Sequence, residues 1–210
     1  MATREIVKTV KNGKLYSDGC ILLEKVRLSH PHLDEPYAGT NDKGEEGKPK
    51  YGVVSMLNKT HHKAVHDLLD AEIKKLITAN DAGKIAKDKL CLRDGDDSDK
   101  SEYEDHWTIS ARESRKISVR NRRGLPMEKD DIAETFYGGC FGNVLIRLWY
   151  QDGKKTGAGY GKRINCGLVA VQFFDDGEAF GEGRIDDEGV FEPIEGEGID
   201  DDNDGDDEDL

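Results

Sequence analysis

Apolar residues in this chain fall mostly into short runs and strict alternations, and only once into a helical period. The run ILLEKVRL at 21–28 predicts a long first strand. The SHPH sequence at 29–32 predicts a break, and residues 30–50, with Pro31, Pro36, Pro49 and several glycines, predict a loop. Residues 50–57 (KYGVVSML) predict a buried strand. Thr60 then stands where a helix cap belongs, and Val65, Leu68, Leu69, Ile73, Leu76 and Ile77 recur at helical spacing before Gly83. The other positions of that segment are mostly charged, so it reads as an amphipathic helix laid on a core.

Residues 93–105 are acidic and loop-like. Beyond them Trp107, Ile109 and Ala111 alternate with Thr108, Ser110 and Arg112, and Ile117 and Val119 alternate with Lys116, Ser118 and Arg120. This period of two predicts two half-buried strands, joined as a hairpin near 113–114. After the Gly138–Gly139 break come strands at 143–150 (NVLIRLWY) and 164–174 (INCGLVAVQFF), separated by a glycine-rich loop at 151–162. No repeat of fixed period is visible. Strands, one helix, then more strands argue against a doubly wound parallel sheet and for a mainly β fold, a small barrel with one inserted helix.

Charge divides the chain sharply. Residues 175–210 hold 18 Asp or Glu against one basic residue, Arg184, while residues 1–174 hold 26 acidic and 30 basic residues. The net charge of −13 therefore belongs to the tail, and the body is mildly basic. The tail composition cannot support a core, so it is expected to be disordered. No apolar run is long enough to span a bilayer and no charged-then-apolar leader opens the chain, so a soluble intracellular protein is expected. Cys20, Cys91, Cys140 and Cys166 are scattered without a C-x-x-C pair and read as buried free thiols of a reducing compartment.

Several motifs fail on context. The G-x-G-x-G spacing of Gly157, Gly159 and Gly161 precedes a strand, so no helix N-terminus is offered to a pyrophosphate. His61, His62 and His66 lack a neighbouring third ligand and read as exposed helix histidines, with no metal expected. Asp99 stands where the acidic run from Asp94 would need the turn glycine of a calcium loop. No nucleophile–base constellation is legible and no cofactor is implied, so the chain reads as a non-enzyme. The positive signal is the basic stretch Arg112, Arg115, Lys116, Arg120, Arg122 and Arg123, with Tyr103 and Trp107 upstream. Cations in line with flat rings suit a flexible polyanion; a solvated strand face paired with the protein's own carboxylates accounts for the same residues equally well.

As a set, certain segments resemble a known family. They are KYGVVSMLNK at 50–59, YGGC at 137–140, NVLIRLWY at 143–150, GKRINCGLVAVQ at 161–172, DGE at 176–178 and Phe180–Gly181. The chain resembles the single-stranded DNA-binding proteins of double-stranded-DNA bacteriophages, distantly of the T7 type, and within them a family long catalogued as a domain of unknown function. The resemblance implies an OB-fold, a five-stranded barrel whose open face binds single-stranded DNA without sequence preference. It also implies an acidic tail that occupies the groove when DNA is absent and recruits replication proteins. Where the T7-type tail ends on an aromatic residue, this one ends on Leu210. Polar insertions at 34–49 and 93–105 are further departures.

The expectation is an N-terminal arm at 1–19, an OB-fold domain at 20–181 and an acidic tail at 182–210. Phosphates would be met by Lys50, Arg112, Arg115, Lys116, Arg120 and Arg122, with Tyr51, Tyr103 and Trp107 as stacking rings. The tail end, Asp206, Asp207, Glu208, Asp209 and Leu210, would dock replication or recombination proteins. The setting would be phage replication, recombination or repair in the cytoplasm of the bacterial host. The rival expectation is an interaction protein whose acidic tail mimics DNA to inhibit a nuclease or polymerase.

Overall fold

The computed structural model describes residues 4–40, 44, 46–153 and 161–181. The tail beyond residue 181 and the loop residues Lys154, Lys155 and Tyr160 lie outside the described residues. Strand β3 (Cys20–Tyr37) is the spine, and at 18 residues it is far longer than the expected 21–28. It serves two neighbours: its first half pairs with β8 (Phe141–Gln151) and its second half with β4 (Lys50–Asn58). Register shifts between Leu23 and Val26 and between Ser29 and His32 bend it, with Lys25 at φ 56° and His30 at φ 47°. The break expected at 29–32 is therefore a bulge within a continuous strand, since a bulge turns a strand without ending its ladder.

Strand β4 pairs along its length with β6 (His106–Glu113). Strand β8 pairs antiparallel with β9 (Arg163–Asp175), and β6 meets β9 in parallel at Arg112 and Gly167. The ring β3–β4–β6–β9–β8 thus closes into a five-stranded barrel with OB-fold connectivity. Two short strands complete its wall. β5 (Leu92–Asp94) pairs with β6, and β7 (Ser118–Arg120) runs parallel to β9.

The hairpin expected between 107–112 and 117–120 does not form. The Glu113 carboxylate accepts the amides of Ser114 and Arg115 in a turn, but β7 then crosses to β9. One edge of β6 is taken by β4 and the other by β5 and β9, so no edge remains for β7. Residues 1–19 contain a hairpin, β1 (Ile6–Val10) and β2 (Gly13–Tyr16), and β2 extends the sheet from β3.

Helix α1 (Lys63–Ala79) buries Val65, Leu68, Leu69 and Ile73 against the barrel, as its period predicts. Its entry differs from expectation. Asn58, not Thr60, supplies the side-chain acceptor, taking the amides of Thr60 and His61 at 3.1 and 3.2 Å. A second helix, α2 (Lys129–Thr135), packs on β3 and buries Ile132; seven residues, with Ile132 and the following Phe136 as the helically spaced apolar pair, leave little sequence signal. Leu23, Leu28, Leu57, Ile109, Ile146 and Leu168 fill the interior, each contributing on the order of 1.5–3 kcal/mol of transfer free energy. Among the described residues no helix is long and apolar enough to cross a membrane. The four cysteines are free, and all but half-buried Cys91 are buried.

His62, expected on the surface, is buried. Its Nε2 lies 3.2 Å from the Glu24 carbonyl and its Nδ1 has no partner. Burial holds its pKa below the usual 6.5. As pH falls below about 6.5 the unfolded chain takes up this proton first, so stability is full above that value and declines beneath it. His30, lowered by burial and by Lys100, acts in the same direction. The thermal midpoint is expected to drop between pH 7 and pH 5, as read by circular dichroism, and His62→Gln is expected to lessen that drop.

Candidate nucleic-acid interface

Alternation along β4 and β6 sorts their side chains cleanly. Val53, Leu57, Ile109 and Ala111 point into the core, which leaves Lys50, Gly52, Ser110 and Arg112 on the outer face. In OB-folds the outer face of the second and third strands, with the first-to-second and fourth-to-fifth strand loops, is the usual oligomer-binding surface. Here those strands are β4 and β6, and the loops are 38–49 and 152–162. A groove of ≈ 1180 Å³ lies over this face. Lys50, Ser110 and Arg112 line it, with Trp149, Gln151, Arg163 and Asn165 and residues of the 87–99 segment.

Register partners extend the outer face past the groove. His32 pairs with Gly52, Gly52 with Arg112, Arg112 with Gly167, and Gly167 with Arg147. Directly paired residues share a face, so this row crosses four strand gaps, roughly 19 Å at the usual spacing. At one end Tyr37, 55% exposed, stacks on His32 with ring centroids 4.4 Å apart and an interplanar angle of 10°. At the other, Trp149 is 46% exposed beside Arg147 on β8. Lys50, Arg112 and Arg147 are exposed, and among the described residues none of them forms an ion pair. Three free cations between two open rings therefore lie along one track.

The 87–99 segment carries both signs, with Lys87, Lys89 and Arg93 lining the groove beside its carboxylates. Asp94, Asp97 and Asp99 line it, and Lys59 donates to Asp94 Oδ1 at 2.6 Å and also to Asp96. Its hydrogen bonds to Asp94 and Asp96 hold the Lys59 pKa above its ordinary value, and Lys59 in turn lowers that of Asp96. The ammonium group thus offsets part of the charge of the run that echoed a calcium loop. No group of metal-binding side chains is found among the described residues.

The basic stretch read as one line in the sequence is divided by the fold. Lys50 and Arg112 join the groove, and Tyr51 sits half-buried against the core. Tyr103 is buried with its hydroxyl 3.1 Å from Ser29 Oγ, yet its ring edges the groove. Trp107 is half-buried and stacks on His66 at 3.8 Å. Beyond the turn, Arg115 pairs with Glu113, Arg120 donates to the Gly124 carbonyl at 2.7 Å, and Arg122 pairs with Asp175. Lys116 is exposed between them, and none of these four lines the groove.

Sequence reasoning missed Tyr37, Arg147, Trp149 and Arg163. A signal existed for two of them. In NVLIRLWY the buried positions Val144, Ile146 and Leu148 leave Arg147 and Trp149 together on the other face. Tyr37 lay within a segment read as loop, and Arg163 at the edge of one.

The model of the family described as Enterobacter phage Enc34, ssDNA-binding protein, matches residues 20–206. Protein p50 of Acyrthosiphon pisum secondary endosymbiont phage 1 is 30% identical over 175 residues, covering 79% of this chain and 88% of p50. The solved structure of the single-stranded DNA-binding protein from bacteriophage Enc34 in complex with ssDNA superposes with a TM-score of 0.76 at 38% identity. That match covers 86% of this chain and 100% of the other. Bacteriophage T7 gp2.5, a single-stranded DNA-binding protein, matches at a TM-score of 0.52 and 12% identity over 93% of this chain and 100% of its own, a likeness of fold alone.

Proposed function

This chain belongs to the phage single-stranded DNA-binding family typified by the Enterobacter phage Enc34 protein, and on that premise we propose that it binds single-stranded DNA without regard to base order. The observation that carries the reading is the outer-face track, in which Lys50, Arg112 and Arg147, without a carboxylate partner among the described residues, lie between Tyr37 and Trp149. Unpaired cations neutralise phosphates and release counterions, while exposed rings stack on any base. Arg163 and Asn165 line the same groove.

Residues 20–181 are the binding domain in this proposal, and residues 182–210 a polyanion that competes with DNA for the track and docks replication or recombination proteins. The charge division supports it, since a mildly basic body carries a tail of strongly negative net charge. The work would be done on phage single strands in the host cytoplasm.

The test compares the full chain with one lacking residues 193–210 on fluorescent oligo-dT across a salt series. Affinity is expected to fall linearly on a log–log salt plot, with a slope of about −0.7 per phosphate met, and to rise on truncation. Absence of binding in both forms would overturn the proposal and favour a tail that mimics DNA.

A further inference from the structure

Gly167 sits in the interior of β9, paired on one side with Arg112 and on the other with Arg147. A glycine inside a strand weakens it, because the unfolded chain loses more freedom there and no side chain packs in return. Two other strand glycines have a packing reason. A Cβ on Gly142 would come within 2.9 Å of Leu28 Cδ1, and one on Gly13 within 2.5 Å of Val65 Cγ2. Gly167 has none: the one neighbour within 4 Å of its added Cβ is the Arg147 carbonyl at 3.5 Å, an ordinary contact. Nor is its φ in the left-handed region. The fold accepts a side chain at this position, and the sequence withholds one.

The two flanking guanidinium groups rise from strands about 9.6 Å apart, two strand spacings, on the same face. Both arginines are exposed and, among the described residues, neither pairs with a carboxylate. Like charges so placed repel each other unless an anion lies between them. A phosphodiester matches the planar donor forks of two arginines, and bare backbone beneath lets it approach the sheet closely. A base lying there would leave the paired positive charge uncompensated.

We propose that Arg112, Gly167 and Arg147 form a seat for one phosphodiester group of the bound strand, with Gly167 the positioning residue that sets how closely the phosphate approaches. The proposal rests on the single-strand binding reading above and assigns one phosphate of that strand to a place.

Binding of fluorescent oligo-dT by the full chain across a salt series tests it with Gly167→Val, Arg147→Gln and the double variant, each with its thermal midpoint measured. Gly167→Val is expected to keep or raise the midpoint, weaken binding about tenfold at moderate salt, and make the salt slope shallower by about 0.7. Arg147→Gln should shift the slope by the same amount, and the double variant should shift it no further. Wild-type affinity and slope in Gly167→Val would overturn the seat, as would weaker binding with an unchanged slope, which marks a base. A midpoint lowered by several degrees, or a chain that fails to fold, would assign Gly167 to packing. Arg147→Gln alone then decides the phosphate contact, and a wild-type slope in it overturns that as well. Absence of binding in both the wild-type chain and the chain lacking residues 193–210 overturns the single-strand reading itself, whereas every other adverse outcome overturns only the seat.

Discussion

Replacing Arg112 and Arg147 together by glutamate is expected to weaken single-stranded DNA binding about a hundredfold or more at roughly 150 mM salt. Each substitution removes a charge-assisted contact worth about 1.5–3 kcal/mol and sets a carboxylate against the phosphate backbone. Two such losses, near 3–6 kcal/mol, correspond to about a hundredfold and upward at ~1.4 kcal/mol per tenfold. Both side chains are exposed on the outer face and neither is a core residue, so the fold should survive. Arg122→Glu with Arg123→Glu makes the same change in net charge away from the track. At that salt, where the Debye length is about 8 Å, this second pair should alter affinity by no more than about threefold. Anisotropy titration of the two double variants measures the contrast; equal losses in both would show that net charge rather than the Arg112–Arg147 track governs binding.

Gly95→Ala should be the most damaging single substitution for stability within the 87–99 segment. Gly95 is buried in the short turn after β5, where an added Cβ would lie 2.2 Å from the Tyr103 carbonyl oxygen and 2.5 Å from that of His106. Both obstacles are backbone, so no rotamer change relieves them. Either the 94–105 segment moves off β6, or the start of β6 does. In the first case Tyr103 leaves its buried site and its hydrogen bond to Ser29, and Lys59 loses Asp94 and Asp96. Overpacking against fixed atoms belongs at the upper end of its usual range, and a loss of more than about 3 kcal/mol is expected. Urea denaturation of wild type and variant reads this directly. A midpoint within error of wild type would mean that the turn is not held as the structure shows.

Much of the fold was legible because its signals are local. The alternation at Trp107, Ile109 and Ala111 marked a strand with one buried face, and the spacing of Val65, Leu68, Leu69 and Ile73 marked the stripe of α1. Helix α2 was too short to show a period. The bulge near His30 looked like an end, because Pro31 and two histidines interrupt the apolar run while the ladder to β4 resumes beyond them. His62 reads as an exposed helix residue in sequence, and only packing beneath the Glu24 carbonyl buries it.

By itself the sequence determined the mainly β class, the strand and helix faces, the separation of a basic body from an acidic end, and the family resemblance. These depend on near neighbours in the chain or on composition. Tertiary structure alone decided which cations act together. Arg112 and Arg122 are ten positions apart in sequence, but they part company at a turn forced by the filled edges of β6. Arg112 and Arg147 are distant in sequence and meet across Gly167 because the barrel closes there. Strand pairing is non-local, and each closure is selected by the burial of every inward face at once, so no window along the chain contains it.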